Sequence, residues 1–254
     1  MQSVTKFFPL KLQIAFPHVL AAAALISFAP GSGLAADKEA VLFNGKDLSG
    51  WRKPTGEWLA AKSASLDPSD PEKFVITPGE GILVNGPKGK SVNLVTEAEF
   101  GDIEAHVEFW IPKHSNSGVY VMGRYEIQIY DSYGVEKDKY PGIECGGIYG
   151  RWINGQNVEG HSPRANASKP PGEWQSFDIT FRAPRFDADG KKIANAKVVK
   201  VVHNGQVIHE NVELAGPTRS ALSEVEKPTG PILLQGNHGP VAFRNLRVTP
   251  VELK

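Results

Sequence analysis

The sequence predicts an all-β protein built as a two-sheet jelly-roll sandwich, and three observations carry that expectation. From Val41 onward the apolar runs are short, alternate with a period of two, and are broken at close intervals by Gly, Pro and Asn. No stretch of helical length carries a 3.6-residue apolar stripe. Many antiparallel strands in a chain sized for one core favour two packed sheets over one open sheet.

The clearest strand is IEAHVEFWI: Ile103, Ala105, Val107, Phe109 and Ile111 share one face, and Glu104, His106, Glu108 and Trp110 the other. SGVYVM and RYEIQIY follow, broken at Gly123. Parity sends Tyr125, Ile127 and Ile129 to the core and Arg124, Glu126, Gln128 and Tyr130 to the opposite face. In WQSFDITF the inward residues are Phe177, Ile179 and Phe181. AKVVKVVHNGQVIHENVEL reads as a hairpin turning on Asn204 and Gly205, a pair suited to the positive φ angles of a type I′ turn. PILLQ and VAFRNLRV close the chain. Residues 58–81 and 134–172, rich in Gly, Pro, Asn and charge, read as long loops of the kind that shape a site. FDADGKKIAN lacks the spaced oxygen ligands of a calcium loop and reads as a solvated turn.

Ahead of this domain, residues 1–35 have the layout of a secretory leader: basic start, apolar middle from Leu12 to Ala29, and small residues before a cut after Ala35 or Ala36. Pro17, His18 and the Pro30-Gly31 break make a poor spanning helix. The expected product is a single domain over 36–254, periplasmic or extracellular, with no membrane attachment. Removing Lys6 and Lys11 leaves 26 basic against 28 acidic residues, which argues against a nucleic-acid surface. Cys145 is the only cysteine, so no internal disulfide forms and zinc-ribbon or thiol-redox chemistry has no ligands; a packed core thiol is expected.

Candidate chemistry centres on Glu126 and Gln128, which share a strand face about 6.6 Å apart and can address one ligand. Asp131 joins them only if a bulge or strand end turns it. His114 and Asn116, Tyr149 and Trp152, Asn166 and Lys169, and Gln235 and His238 stand at strand ends and in loops, where sandwich sites are built. His238 lies in a Gly-flanked turn and carries the side chain best suited to proton transfer near neutrality. His106 and Glu108, two apart on a strand, offer two ligands of a divalent metal but show no third at a recognisable spacing.

LFNGKDLSGW, NSGVYVMGRYEIQIYDSYG, GGIYG, NASKPPGEWQSFDITFRAPRFDADGKK, HNGQVIHENVEL and GPILLQGNHGPVAFRNLRV, in this order over about 41–251, resemble the 3-keto-disaccharide hydrolase family, also described as 3-keto-glucoside 1,2-lyase and 3-keto-2-hydroxy-glucal hydratase. The resemblance implies a concanavalin A/glucanase-like jelly roll acting on an oligosaccharide or glycoside. The E-x-Q-x-x-D run is also similar to the E-x-D-x-x-E signature of retaining jelly-roll glucanases, with an amide in place of the middle acid. A ketone at C3 acidifies the C2 hydrogen, so one base, with a donor or divalent metal on the enolate, suffices for elimination. The resemblance implies Glu126, His238 and Asp131 as catalytic candidates. It implies Gln128, Tyr149, Lys169 and Gln235 as sugar binders, and Arg124 on the Glu126 face and Asn116 and Trp152 at strand ends and in loops are expected to join them. Where the family reads L-Q-D-H-G, this chain has Gly236 and Asn237 between Gln235 and His238. A hydrolase of unoxidised glucans and a non-catalytic carbohydrate-binding module stand as the other readings.

Overall fold

In a computed structural model the described residues are 38–254 except 137, 140 and 141; the expected leader lies outside them. The strands in chain order are β1 (Ala40–Val41), β2 (Leu59–Asp67), β3 (Asp70–Val84), β4 (Leu94–Phe100), β5 (Ile103–Trp110), β6 (Asn116–Val121), β7 (Tyr125–Tyr130) and β8 (Arg151–Ile153). There follow β9 (Gln156–Val158), β10 (Gln175–Arg182), β11 (Arg185–Phe186), β12 (Lys192–Ala194), β13 (Ala196–His203), β14 (Gln206–Leu214), β15 (Gly230–Leu234) and β16 (Ala242–Pro250). One antiparallel sheet runs β14-β13-β10-β5-β16-β3-β2 with β1 on β16, and a smaller one runs β4-β15-β6-β7.

The two sheets meet through the faces that alternation selects. Ile103, Val107 and Phe109 from β5 and Phe177, Ile179 and Phe181 from β10 share a buried cluster with Val119, Tyr125, Ile127, Ile129 and Leu234 of the smaller sheet. This is the predicted jelly-roll sandwich. The β13–β14 hairpin turns on Asn204 and Gly205 at φ 50° and 83°, as the type I′ expectation requires. Cys145 is buried and unpaired, and burial pushes its thiol up to about 12, so it packs as an apolar residue.

Residues 58–81 are a correction, because most of them form the β2–β3 ribbon rather than a loop. The Pro78, Gly79 and Gly81 punctuation marks a bulge, at which Ala61 faces both Ile82 and Pro78 and the glycines sit at φ 143° and 124°. Beyond the bulge, Phe74 of the ribbon packs with Trp110, burying an indole that parity places on the outer face. Residues 134–172 likewise hold a short hairpin, β8–β9. FDADGKKIAN is the β11–β12 turn, where Asp187 Oδ1 accepts the backbone N–H of Asp189 and Lys191.

Candidate active site

The outward face of the smaller sheet carries a polar cleft. On β6 and β7 the register pairs Tyr120 with Glu126, Gly118 with Gln128 and Asn116 with Tyr130, without a shift. Cross-strand partners share a face, so Asn116, Tyr120, Glu126 and Gln128 form one patch while their neighbours enter the core. Residues 146–149 pair along the free edge of β7 (Gly146 N–H to Gln128 O, 2.7 Å; Tyr149 N–H to Glu126 O, 3.1 Å) and bring Tyr149 to the wall. Gln235 follows β15, its N–H donating to Gly118 O at 2.9 Å. Together with Arg219, Ser220 and His238 these residues line a cavity of ≈ 190 Å³.

Glu126 is its floor. The side chain is 2% exposed, and burial pushes its carboxyl up to about 8 despite a hydrogen bond from the Tyr120 hydroxyl that favours the charged form. Gln235 Nε2 donates to the Tyr120 oxygen at 3.4 Å, and with the Gln128 amide nitrogen turned toward the carboxylate it lies 3.2 Å from Glu126 Oε1. The carboxyl lies over Gly118: a Cβ there would sit 2.1 Å from Glu126 Oε1, so only glycine admits this rotamer. Gln235 Oε1 is buried with no partner among the described residues, an acceptor that a bound hydroxyl can satisfy.

The turn carrying His238 is braced from beneath by Asn85, which is fully buried. Its amide donates to Gly236 O at 3.0 Å and Gly239 O at 2.8 Å and accepts the Val241 N–H at 2.9 Å. Asn237 Oδ1 lies against His238 Nδ1, a contact that suits an imidazole carrying its proton on Nδ1.

Asp131, Arg124 and Lys169 fall outside the cleft, as do His114, which meets Glu72 at 2.8 Å, and Asn166, which donates to Ser132 O at 2.6 Å, and Trp152 reaches only its rim. Asp131 follows the end of β7 with no bulge to turn it, and its Oδ2 accepts the backbone N–H of His114 at 2.9 Å. Arg124 precedes the strand, where parity no longer applies. Its guanidinium donates to Val225 O and Met122 O, both at 2.8 Å, and so holds the 218–226 loop. Lys169 is exposed and donates to Trp174 O at 3.0 Å. Trp152 touches the cleft through Arg219, whose guanidinium lies 3.9 Å above the indole centroid. The His106 and Glu108 alternative is an ion-pair network on the outer face, with His106 Nδ1 2.6 Å from Asp178 and Glu108 2.6 Å from Arg244 Nε. Burial raises the Glu108 carboxyl, but hydrogen bonds from Asn245 and Arg244 outweigh it and hold the group ionised.

Sequence reasoning missed Tyr120, Arg219 and Ser220. Tyr120 was legible, since it alternates with Asn116 in NSGVYV; Arg219 and Ser220 sit in a loop placed by tertiary contacts alone. Among the described residues no group of three or more His, Cys, Asp or Glu side chains could hold a metal ion. The cleft lining offers one carboxyl and one imidazole, short of the three protein ligands of a typical catalytic zinc site.

Comparison with curated proteins gives no match. Among solved structures, a candidate glycosyl hydrolase from Parabacteroides distasonis ATCC 8503 aligns with TM-score 0.59 and 29% identity, covering 84% of this chain and 84% of that one. Another candidate glycosyl hydrolase from the same organism, at TM-score 0.51 and 23% identity over 85% of this chain and 100% of that one, shares the fold. The 3-keto-alpha-glucoside-1,2-lyase-like domain family matches residues 38–249. With most of its length matched and a polar cleft on one sheet of a jelly roll, the chain belongs to that family of carbohydrate-active enzymes.

Proposed function

We propose that the cleft cleaves a 3-keto glucoside by eliminating its C1 substituent. The observation that carries this reading is a single buried carboxyl, Glu126, protonated through neutral pH, in a cleft that also presents an imidazole. Hydrolysis of an unoxidised glucan ordinarily uses two carboxyl groups about 5–10 Å apart; the lining residues supply one, because position 128 is an amide and Asp131 is elsewhere. Elimination next to a ketone needs one base and one donor.

In the proposed sequence His238 Nε2 takes the C2 proton. The electron pair of that C–H bond forms the enolate C2=C3, and the protonated Glu126 carboxyl donates to the developing oxygen at C3. When the ketone re-forms, its enol proton returns to Glu126, the pair moves to C1=C2 and the bond from C1 to the glycosidic oxygen breaks; the departing oxygen takes the proton that His238 removed from C2. Water then adds across C1=C2, its oxygen to C1 and a proton to C2, which makes the net change a hydrolysis. Asn116, Gln128, Tyr149 and Gln235 hold ring hydroxyls. Export belongs to the same proposal and rests on the leader pattern of residues 1–35.

The test offers purified protein a glucoside and its 3-keto counterpart, with and without chelator, and follows absorbance of the unsaturated ketone. The expected result is turnover of the oxidised sugar alone, slowed by deuterium at C2 and reduced about 10²–10⁴-fold in His238→Ala. Turnover of the plain glucoside would instead mark a conventional hydrolase, and binding without turnover a carbohydrate-binding module. Gly118→Ala should fold, because the clashing atom is the end of a side chain. Its new methyl displaces the Glu126 carboxyl, so kcat should fall at least roughly tenfold, the scale of a displaced catalytic donor, with little change in circular dichroism.

A further inference from the structure

The cleft holds a positive charge that no carboxylate among the described residues balances. Its one carboxyl, Glu126, keeps its proton through neutral pH, so the lining carries no anion. Arg219 stands in the same lining, exposed at the mouth, with a permanent positive charge. Its guanidinium lies 3.9 Å over the Trp152 indole and, among the described residues, has no hydrogen-bond or ion-pair partner. Every other arginine finds a carboxylate or carbonyl oxygen, as Arg151 does in Glu159 at 3.2 Å and Arg244 in Glu108 at 2.6 Å. The exception is held in place: the Arg219 N–H donates to Gly150 O at 2.8 Å, just before β8, and Thr218 Oγ1 beside it accepts the Glu126 N–H at 3.1 Å. Ser220 follows at φ 63°, a left-handed conformation uncommon for serine, and lines the cleft with neither its N–H nor its hydroxyl bonded among the described residues. Two adjacent residues thus present a guanidinium, an N–H and a hydroxyl with no acceptor of the protein's own.

We infer that Arg219 and Ser220 form a seat for a carboxylate, and that the glycoside taken into the cleft carries an acid group. The inference rests on the reading of the cleft as a glycoside site and adds the charge of the substrate to it. Stacking on the indole occupies one face of the guanidinium and leaves its N–H edge free; two parallel N–H groups on that edge match the two oxygens of a carboxylate. A phosphate monoester would bring close to two negative charges, and no lysine or second arginine lines the cleft to meet them. The domain over 36–254 is slightly acidic, so a preference for anions has to arise locally. The acid sits either on the oxidised ring, as in a uronide, or on the leaving group, and its chemistry at Arg219 is the same in both.

The experiment measures, by calorimetry, binding of acid and amide in two pairs. Methyl glucuronide and methyl glucuronamide place the group on the ring; 4-carboxyphenyl and 4-carbamoylphenyl glucoside place it on the leaving group. In at least one pair the acid should bind the wild type about tenfold more tightly than the amide at ~20 mM salt, the size of one partly exposed charge-assisted bond, and the factor should shrink at ~0.5 M salt. The pair that shows it locates the acid. Arg219→Ala and Arg219→Gln should bring the ratio to within about twofold, whereas Arg219→Lys should keep about threefold, because an ammonium retains the charge without the paired donors. Arg244→Gln, on the outer face of the larger sheet, should leave the ratio unchanged. No preference in either pair, a preference that survives Arg219→Ala, or one that Arg244→Gln removes as fully overturns the inference. The 3-keto forms of the same compounds should show the ratio in kcat/KM, through KM. If none of them reacts, the proposed reaction fails while the binding ratio still decides the seat.

Discussion

Glu126→Gln is expected to abolish turnover of the 3-keto glucoside and, at pH 8, to raise the melting temperature. Two facts set the sign. The carboxyl is held near 8 in the fold against an ordinary 4.5, and the cause is burial. Below pH 4.5 both folded and unfolded chains keep this proton and the group is neutral in the balance. Between 4.5 and 8 the unfolded chain ionises while the folded one does not, so stability falls by about 1.4 kcal/mol per pH unit, roughly 4–5 kcal/mol in all. An isosteric amide removes that loss. Its oxygen still accepts from Tyr120, and nothing on it titrates. At 2–4 °C per kcal/mol for a domain of this size, the gain at pH 8 is roughly 10 °C, vanishing near pH 4.5. Calorimetry of the two proteins at pH 4.5, 6.5 and 8 checks it. A variant less stable than wild type at pH 8 would show that Glu126 is ionised and paired in the fold, and the proposed donor to the C3 oxygen would go with it.

That the buried carboxyl proposed as the donor destabilises its own fold bears on what the sequence could disclose. Alternation in IEAHVEFWI, WQSFDITF and YEIQIY gave the core faces correctly, because period-two burial needs no knowledge of partners. The same parity placed Glu126 and Gln128 side by side and left Asp131 off their face, and it failed at Arg124, one residue before β7. Arg124 and Asp131 obey turn geometry, not the pleat, and both bond to loops. Proline and glycine at 78–81 imitate a loop because a bulge needs the same residues. Gln235, His238 and Tyr149 were candidate loop and strand-end groups from residue type, but their place in one site came from family resemblance, since no local pattern tells which loops converge. Arg219 had neither signal. Its place depends on contacts with Gly150 and Tyr120, about 70 and 100 positions earlier in the chain. The raised carboxyl was equally hidden: parity shows where Glu126 points, while its charge state depends on how completely neighbouring strands and loops exclude water.

Two histidines set the opposite limb of the pH profile. His203 is fully buried beside Phe109 and Phe177, with Nε2 3.0 Å from Gln175 Oε1 and no partner for Nδ1 among the described residues; burial first, then the charge of Lys169, lowers it to about 3. His209 is lowered to about 4, mainly by burial, although Gly146 O sits 2.8 Å from its Nε2. Both are neutral in the fold. Above the ordinary 6.5 they are neutral in the unfolded chain too; below it the unfolded chain takes up two protons that the fold refuses, so stability falls toward pH 4. By pH 5 the pair costs roughly 4 kcal/mol, of which the relief at Glu126 returns about half. These three groups together place maximum stability near pH 6.5, with falls of roughly 2 kcal/mol to pH 5 and to pH 8. His203→Phe suits the aromatic cluster and leaves Gln175 Oε1 with donors from Lys169 N and Asn204 Nδ2. That variant should flatten the profile between pH 5 and 6.5 while leaving the alkaline fall intact, and Glu126→Gln should do the reverse. If His203→Phe keeps the full acid fall, protonation of this histidine is not what destabilises the fold in acid.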